Sequence, residues 1–272
     1  MATLEILKQR IVAYALINTA DEDYVTARWA FANNINRNFF WHSAIAIEKY
    51  LKSGLLLNHR SAKSESHNIL ALFDRVLEFS GELIDDGFEI VKGIGKLEWT
   101  TESKRDFVEK IQKYGGPNSR YDFYSYRLDS CDLYKLDQIV FQIRRICCDL
   151  EAPSTPFTGP SGPTMREMFL SNPNVPIDFN GRRLRKIFES ERFPGAANAA
   201  LWNNYAFKNV GFPASGREGD WRIAAGNSVV DMVSDGNWDF EVKKAALEWM
   251  IDNIYLPPSD VGKIKDLIKR GR

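Results

Sequence analysis

Histidine, cysteine and net charge are all scarce in this chain of 272 residues. It has three histidines and three cysteines, and its 36 acidic side chains are matched by 36 basic ones. No cysteine belongs to a C-x-x-C pair, so the chain has neither a disulfide framework nor a zinc ribbon pattern. We therefore expect Cys131, Cys147 and Cys148 to be buried in a protein of the reducing cytoplasm. The histidines form no H-x-x-x-H or H-E-x-x-H pattern, so neither a metal site nor another cofactor is expected.

Long apolar runs and an excess of one charge are also missing. Without a basic excess, any contact with nucleic acid has to be local. The N-terminal sequence MATLEILKQR is amphipathic and charged, which is typical of neither a signal peptide nor an anchor. No segment is apolar enough to cross a bilayer, so no membrane partner is expected.

The chain instead contains apolar residues at helical spacing. The strongest pattern covers Phe39 to Leu57, where Glu48 and Lys52 form an i,i+4 pair on the polar side. This amphipathic pattern predicts a helix that packs against neighbouring helices. Thr19 is expected to begin a second helix and Ser66 a later one. The predicted fold class is mainly α, with further helices over 3–19, 21–33, 67–84, 100–114, 129–150 and 241–254, and a last one after Ser259.

A boundary is predicted at residues 153–163, PSTPFTGPSGP, which contain four prolines and two glycines. Such a segment neither continues a helix nor pairs as a central strand. We therefore predict a helical domain over 1–152, a Pro/Gly linker over 153–163 and a small, mostly helical domain over 164–272. Residues 223–233 of the second domain are predicted to hold a short strand.

Two clusters of residues are candidates for a functional site. Arg37, Asn38 and His42 lie close together at the start of the strongest helix and combine a guanidinium, an amide and an imidazole. The second cluster interleaves aromatic and arginine side chains, which can stack on bases; it contains Arg120, Tyr121, Tyr124 and Arg127. The structural alternative is a packed helix start for the first cluster and a packed loop for the second.

Residues 15–150 resemble the HEPN superfamily of α-helical bundles. The resemblance rests on AIAIEKYLKSGLL in the strongest helix and on Ser66-His67-Asn68-Ile69, which is similar to an HDL turn with Asn in place of Asp. It implies an up-and-down helical bundle that usually dimerises. Many members are ribonucleases with an Arg-x4–6-His motif, whereas others serve as binding modules, so the resemblance alone does not establish an activity.

Arg37 and His42 fit that motif with four intervening residues, and Arg60 and His67 fit it with six. The tighter form Arg-Asn-x3-His occurs by chance in roughly one such chain in seventy, which favours the first pair. In much of the family the motif lies on a later helix, but this chain has no histidine after His67.

The resemblance implies a metal-independent endoribonuclease that cleaves single-stranded RNA to a 2′,3′-cyclic phosphate, within a toxin–antitoxin or antiviral defence system. His42 would act as general base or acid, Arg37 would hold the phosphoryl oxygens and Asn38 would orient one of them. The partners implied are single-stranded RNA, a second copy of the chain and an antitoxin or other protein. One alternative is a non-catalytic HEPN module that binds a nucleotide or protein. Another is a scaffold with an exposed aromatic patch in 196–250.

Overall fold

The protein is mainly α-helical, as the sequence predicts. The computed structural model describes residues 8–63, 65–91, 99–117, 125–154, 162–174, 182–192, 194–202, 204–207, 223–226, 230, 233, 239–253 and 258–270. The chain divides into two compact units, Met1–Gly115 with Ser130–Trp221, and Gly116–Asp129 with Arg222–Arg272.

The first unit is built from helices packed around one central helix. Its described helices are α1 (Asn18–Ala32), α2 (Asn36–Leu57), α3 (Ile69–Ser80), α4 (Lys104–Gly115), α5 (Asp132–Arg145), α6 (Met165–Ser171), α7 (Arg182–Phe188) and α8 (Pro194–Leu201). A short 3-10 turn, Gly81–Leu83, follows α3.

The helix starts predicted at Thr19 and Ser66 are both wrong. Residues 8–12 are helical and continue through a π-helical segment, Ala13–Ile17, directly into α1. Thr19 is therefore inside a helix, where its hydroxyl donates to the carbonyl of residue 15. Ser66 does not cap α3, because the side chain of Asn68 accepts from the backbone N–H of Ala71. An amide caps a helix as well as a hydroxyl does, so the helix begins two residues later than predicted.

Helix α2 occupies the position that its amphipathic pattern predicts. It packs against α1, α3, α4 and α5, and Phe40 and Ile47 on its apolar side are fully buried. The end of α4 approaches it so closely that a Cβ atom at Gly115 would lie 2.1 Å from the carbonyl oxygen of Phe40. Only glycine allows this crossing without displacing the backbone.

Helices α1 and α5 are joined by two reciprocal buried ion pairs. Arg28 Nε lies 2.9 Å from Asp137 Oδ1, and Arg144 Nε lies 2.8 Å from Asp21 Oδ1. On each helix the acidic residue precedes the arginine by seven positions. The first residue of the pair on α1 binds the second on α5, and the second on α1 binds the first on α5, so the two helices are antiparallel. Burial lowers the pKa of Arg28, but the Asp137 carboxylate more than offsets this and raises it, so the guanidinium stays charged.

Residues beyond the predicted linker complete these ion pairs. Asp21 Oδ2 accepts from the backbone N–H of Leu184 at 3.0 Å, and Arg28 donates to the carbonyls of Ala199 and Trp202 at 2.7 to 2.9 Å. Helices α7 and α8 both pack on α1 as a result. The first compact unit therefore includes described residues from both sides of segment 153–163.

The second unit combines a two-stranded sheet with a helix pair. Strand β1 (Tyr126–Asp129) pairs antiparallel with β2 (Ile223–Gly226), which confirms the short strand predicted in 223–233. Helix α9 (Phe240–Asn253) confirms the helix predicted over 241–254, and α10 (Pro258–Arg270) follows it. Leu247 and Ile264 form the buried contact between the two helices.

Removal of one member of a buried pair is expected to be far more damaging than removal of an exposed one. Arg28→Met leaves the Asp137 carboxylate buried without its counter-ion, and we expect the free energy of unfolding to fall by about 3–5 kcal/mol. Arg28→Met combined with Asp137→Leu should recover part of that loss. Urea titration measures all three proteins.

The matched control is Arg105→Met, since Arg105 pairs with Asp74 at a distance of 2.9 Å but with side chains 48% and 43% exposed. We expect this control to lower the free energy of unfolding much less than Arg28→Met does, because water screens an exposed pair. Equal losses for Arg28→Met and Arg105→Met would contradict a structural role for the buried pair.

Truncation tests whether residues 1–152 form a domain on their own. Without Leu184, Ala199 and Trp202, the buried groups of Asp21 and Arg28 lose hydrogen-bond partners. We expect a chain of residues 1–221 to unfold cooperatively in urea and a chain of residues 1–152 to lose that cooperative transition. Equal stability of the two chains would instead support the boundary predicted at 153–163.

Candidate functional site

The most reactive group of the predicted site, the His42 imidazole, is held by a carboxylate that the sequence interpretation did not connect with it. His42 Nδ1 lies 3.0 Å from Asp23 Oδ1, and Lys49 Nζ lies 2.6 Å from Asp23 Oδ2. The His42 and Asp23 side chains are 25% and 17% exposed, so the pair lies at the surface of the first unit. One carboxylate of α1 thus binds an imidazole and an ammonium group of α2.

Helix geometry explains how the three groups meet. His42 and Lys49 are seven residues apart, so they lie on the same face of α2, about two turns from each other. The adjoining parts of α1 and α2 are held by an edge-to-face contact between Phe31 and Phe39, whose ring centroids are 5.2 Å apart. This packing brings Asp23 on α1 to the face that carries His42 and Lys49.

The environment keeps the Asp23 carboxyl group ionised at neutral pH. Burial raises its pKa, but the hydrogen bonds from His42 and Lys49 outweigh this effect, and the net result is a lowered pKa. A carboxylate on Nδ1 fixes the orientation of the imidazole. The other ring nitrogen, Nε2, then remains to exchange a proton, since no described residue forms a hydrogen bond to it.

Arg37 and Asn38 lie in the first turn of the same helix. Arg37 is partly buried, and Asn38 is exposed. Asn38 precedes His42 by four residues and shares its face, whereas Arg37 lies about 140° around the helix axis from His42. The action of all three residues on one substrate stays a prediction.

The second match to the motif, Arg60 and His67, has different surroundings. Arg60 packs over the ring of Phe79, with 4.8 Å between the guanidinium carbon and the ring centroid. His67 is 69% exposed, and its Nδ1 lies 3.1 Å from Glu48 Oε1. The same Glu48 accepts from Lys52 at 2.7 Å, which confirms the predicted i,i+4 pair.

The predicted base-stacking cluster is described only in part. Arg120, Tyr121 and Tyr124 lie outside the described residues. Arg127 is on strand β1, where its Nε donates to Asp129 Oδ1 at 2.8 Å. Arg127 belongs to the second compact unit and His42 to the first. Contact between this cluster and RNA stays a prediction.

The tryptophans of the predicted aromatic patch are likewise only partly described. Trp221 and Trp238 lie outside the described residues, and nothing is described for the side chain of Trp249. Trp202 is half-buried, and its carbonyl oxygen accepts from Arg28. The scaffold interpretation stays a prediction.

The three cysteines are unpaired and buried, as expected. The described residues contain no cluster of His, Cys, Asp and Glu side chains suited to a metal ion. Within the same part of the chain, no helix is long and apolar enough to cross a membrane.

Because its pKa is lowered on folding, Asp23 should make stability depend on pH. The stabilisation is present above its usual pKa of 3.8 and is lost as the pH falls through the folded-state value. We expect Asp23→Asn to lower the free energy of unfolding by about 1 kcal/mol at pH 7, with a smaller difference at about pH 3. Asp74→Asn, which disrupts an exposed pair, is the control. A loss for Asp23→Asn that is constant with pH would contradict this assignment.

Comparisons with known proteins do not place the chain in a family. No family model matches it, no curated protein matches it and no solved structure matches it.

Proposed function

We propose that the protein is a metal-independent endoribonuclease that cleaves single-stranded RNA, with His42 as the group that transfers protons. The observation that carries the proposal is the hydrogen bond of 3.0 Å between His42 Nδ1 and Asp23 Oδ1. A histidine held by a carboxylate through one ring nitrogen can exchange protons through the other. The Arg-Asn-x3-His spacing and the resemblance to the HEPN superfamily support the same activity.

The reaction needs only groups that amino acids supply. His42 Nε2 takes the proton of a ribose 2′-hydroxyl, and the resulting oxygen attacks the adjacent phosphorus. The bond from phosphorus to the 5′-oxygen breaks, which leaves a 2′,3′-cyclic phosphate on one product. The departing 5′-oxygen takes up a proton and becomes the hydroxyl of the other. Asp23 is a positioning residue that holds the imidazole in orientation.

Two polar neighbours on α2 have roles in this proposal. Arg37 binds the phosphoryl oxygens, because its planar guanidinium offsets the negative charge that develops in the transition state. Asn38 is exposed, lies one turn before His42 and orients one of those oxygens. A two-fold dimer would place two such clusters in one cleft and supply a second imidazole as general acid.

The biological setting rests on the resemblance alone. HEPN ribonucleases of this type imply a toxin–antitoxin or antiviral role, and a homodimer or an antitoxin as the protein partner. Arg120, Tyr121, Tyr124 and Arg127 are the proposed stacking groups for RNA.

The second candidate is a non-catalytic module that binds a ligand. It is favoured by a cleft of about 580 Å³ in the first unit, which His42 and Arg37 do not line. In this alternative the Asp23–His42 pair only joins α1 to α2. The two candidates differ in whether His42→Ala changes an activity.

The test is cleavage of a labelled single-stranded RNA in EDTA by wild type, His42→Ala and Asp23→Asn. We expect cleavage by wild type and at least about a 100-fold loss for His42→Ala, because general acid–base catalysis typically contributes this much. Asp23→Asn should lower the rate by a smaller factor. The product ends should be cyclic phosphates.

Two histidine variants act as controls. His59 is 63% exposed and outside the motif, so His59→Ala should cleave like wild type. His67→Ala tests the alternative pair with Arg60. Equal cleavage by wild type and His42→Ala would contradict the role of His42. No cleavage by any protein would favour the binding module.

A further inference from the structure

The cleft of about 580 Å³ lies against helix α5 and has a volume typical of small-molecule sites. One wall is α5 itself, from Tyr134 to Arg145. The other walls come from residues 82–91 after α3, residues 173 and 174 after α6, and residues 205 and 206 after α8. The cleft is separate from the proposed ribonuclease site and shares no residue with it.

One deep group of the cleft is the Arg145 guanidinium, a positive charge that pairs with no carboxylate in the described part of the chain. Arg145 is 4% exposed and donates to the carbonyls of Phe169 and Pro173, each at 2.7 Å. No carboxylate of the described residues pairs with it, and its buried Nε–H has no partner there. Burial lowers the pKa of Arg145 to about 10. A guanidinium has five N–H donors, so donors remain for a ligand.

The acidic residues of the cleft differ in how far they are neutralised. Asp137 pairs with Arg28, and Asp85 pairs with Lys104. Glu82 and Glu89 are exposed and form no ion pair with a described residue. Water and salt screen exposed charges much more than buried ones, so Arg145 dominates the interaction with a deeply bound group. The two exposed glutamates still repel a ligand that carries several negative charges.

Aromatic side chains supply the apolar part of the lining. Tyr134 and Phe141 lie on α5, and the ring centroid of Tyr205 is 5.9 Å from that of Tyr134. Gln138 holds the segment after α3 against α5, because its amide exchanges two hydrogen bonds with the backbone of Glu89 at 2.9 and 2.8 Å. The lining thus offers rings for a planar ligand and one buried cation.

We propose that this cleft binds a small aromatic acid with a single carboxylate, which Arg145 receives while the ring packs among Tyr134, Phe141 and Tyr205. The carboxylate supplies a counter-ion to the guanidinium, which no described residue provides. A nucleotide fits less well, because its phosphate carries more negative charge past Glu82 and Glu89. An aromatic amine has no anionic group for Arg145 to bind.

The first test is calorimetric titration of the full chain with three probes, each of which carries a planar aromatic ring system. They are indole-3-acetate, tryptamine and adenosine monophosphate. We expect indole-3-acetate to bind with a Kd below about 1 mM and the other two at least about 10-fold more weakly. No binding of indole-3-acetate up to about 5 mM, or equal or tighter binding of either other probe, would overturn the proposal.

Variants then locate the binding. Glu89→Lys reverses an exposed charge at the cleft and should tighten indole-3-acetate binding by about 2- to 5-fold at low salt. The matched control is Glu248→Lys, because Glu248 is exposed on α9 and does not line the cleft. This variant should bind indole-3-acetate with the same affinity as wild type. Equally tighter binding by both variants would mean that added positive charge attracts indole-3-acetate non-specifically. That result would contradict binding at this cleft.

A third variant tests the buried cation. Arg145→Gln should weaken indole-3-acetate binding by about 10-fold or more, provided its circular dichroism matches wild type. If that variant does not fold, the comparison of Glu89→Lys with Glu248→Lys decides whether indole-3-acetate binds at this cleft. If a folded Arg145→Gln variant binds indole-3-acetate as tightly as wild type does, Arg145 does not bind the carboxylate.

Discussion

Two buried carboxylates set the register between the first and fifth helices of the protein. Asp21 faces Arg144, and Arg28 faces Asp137, with acid and base exchanged between the helices. Each carboxylate also accepts a tyrosine hydroxyl, at 2.7 and 2.6 Å. A buried charge without its partner is strongly destabilising, so a slip of either helix by one turn would be penalised at both pairs. We infer that the pairs select one alignment of α1 and α5 and add little net stability.

The C-terminal helices of the first unit are part of the same arrangement. The N–H of Leu184 completes the hydrogen bonds of Asp21, and carbonyls near the end of α8 complete those of Arg28. A polar group buried without a partner costs about 1–3 kcal/mol, so the first helices and the chain near residue 200 depend on each other. Two stretches far apart in the sequence therefore form one compact unit.

Helix α1 also connects this buried arrangement with the proposed site. Asp21 and Asp23 are two residues apart, so their side chains lie about 200° apart around the helix and face different neighbours. Asp21 reaches α5, and Asp23 reaches His42 on α2. Any change that shifts α1 along α5 would therefore also move the carboxylate that holds the imidazole. The position of the carboxylate that holds His42 therefore depends on ion pairs elsewhere on α1.

The periodicity of apolar residues was enough to predict most of the helices and the packing of α2 against its neighbours. These features depend on spacings of three and four residues, which are local and visible in the sequence. The strand in 223–233 was predicted, but its pairing with Tyr126–Asp129 was not, because no local pattern encodes a partner that far along the chain. Asn38 and His42 were identified from their spacing, whereas no pattern in the sequence connected Asp23 with them.

The sequence by itself determined most of the helical segments and the apolar face of each of them, but it did not locate α6, α7 and α8. Tertiary structure alone decided that Asp23 binds His42, that Arg28 is buried opposite Asp137 and that Arg145 lines a cleft without a carboxylate partner among the described residues. The physical reason is that helix formation depends on neighbours within a few residues. The pairing of charged side chains depends instead on which distant surfaces are brought together as the helices exclude water.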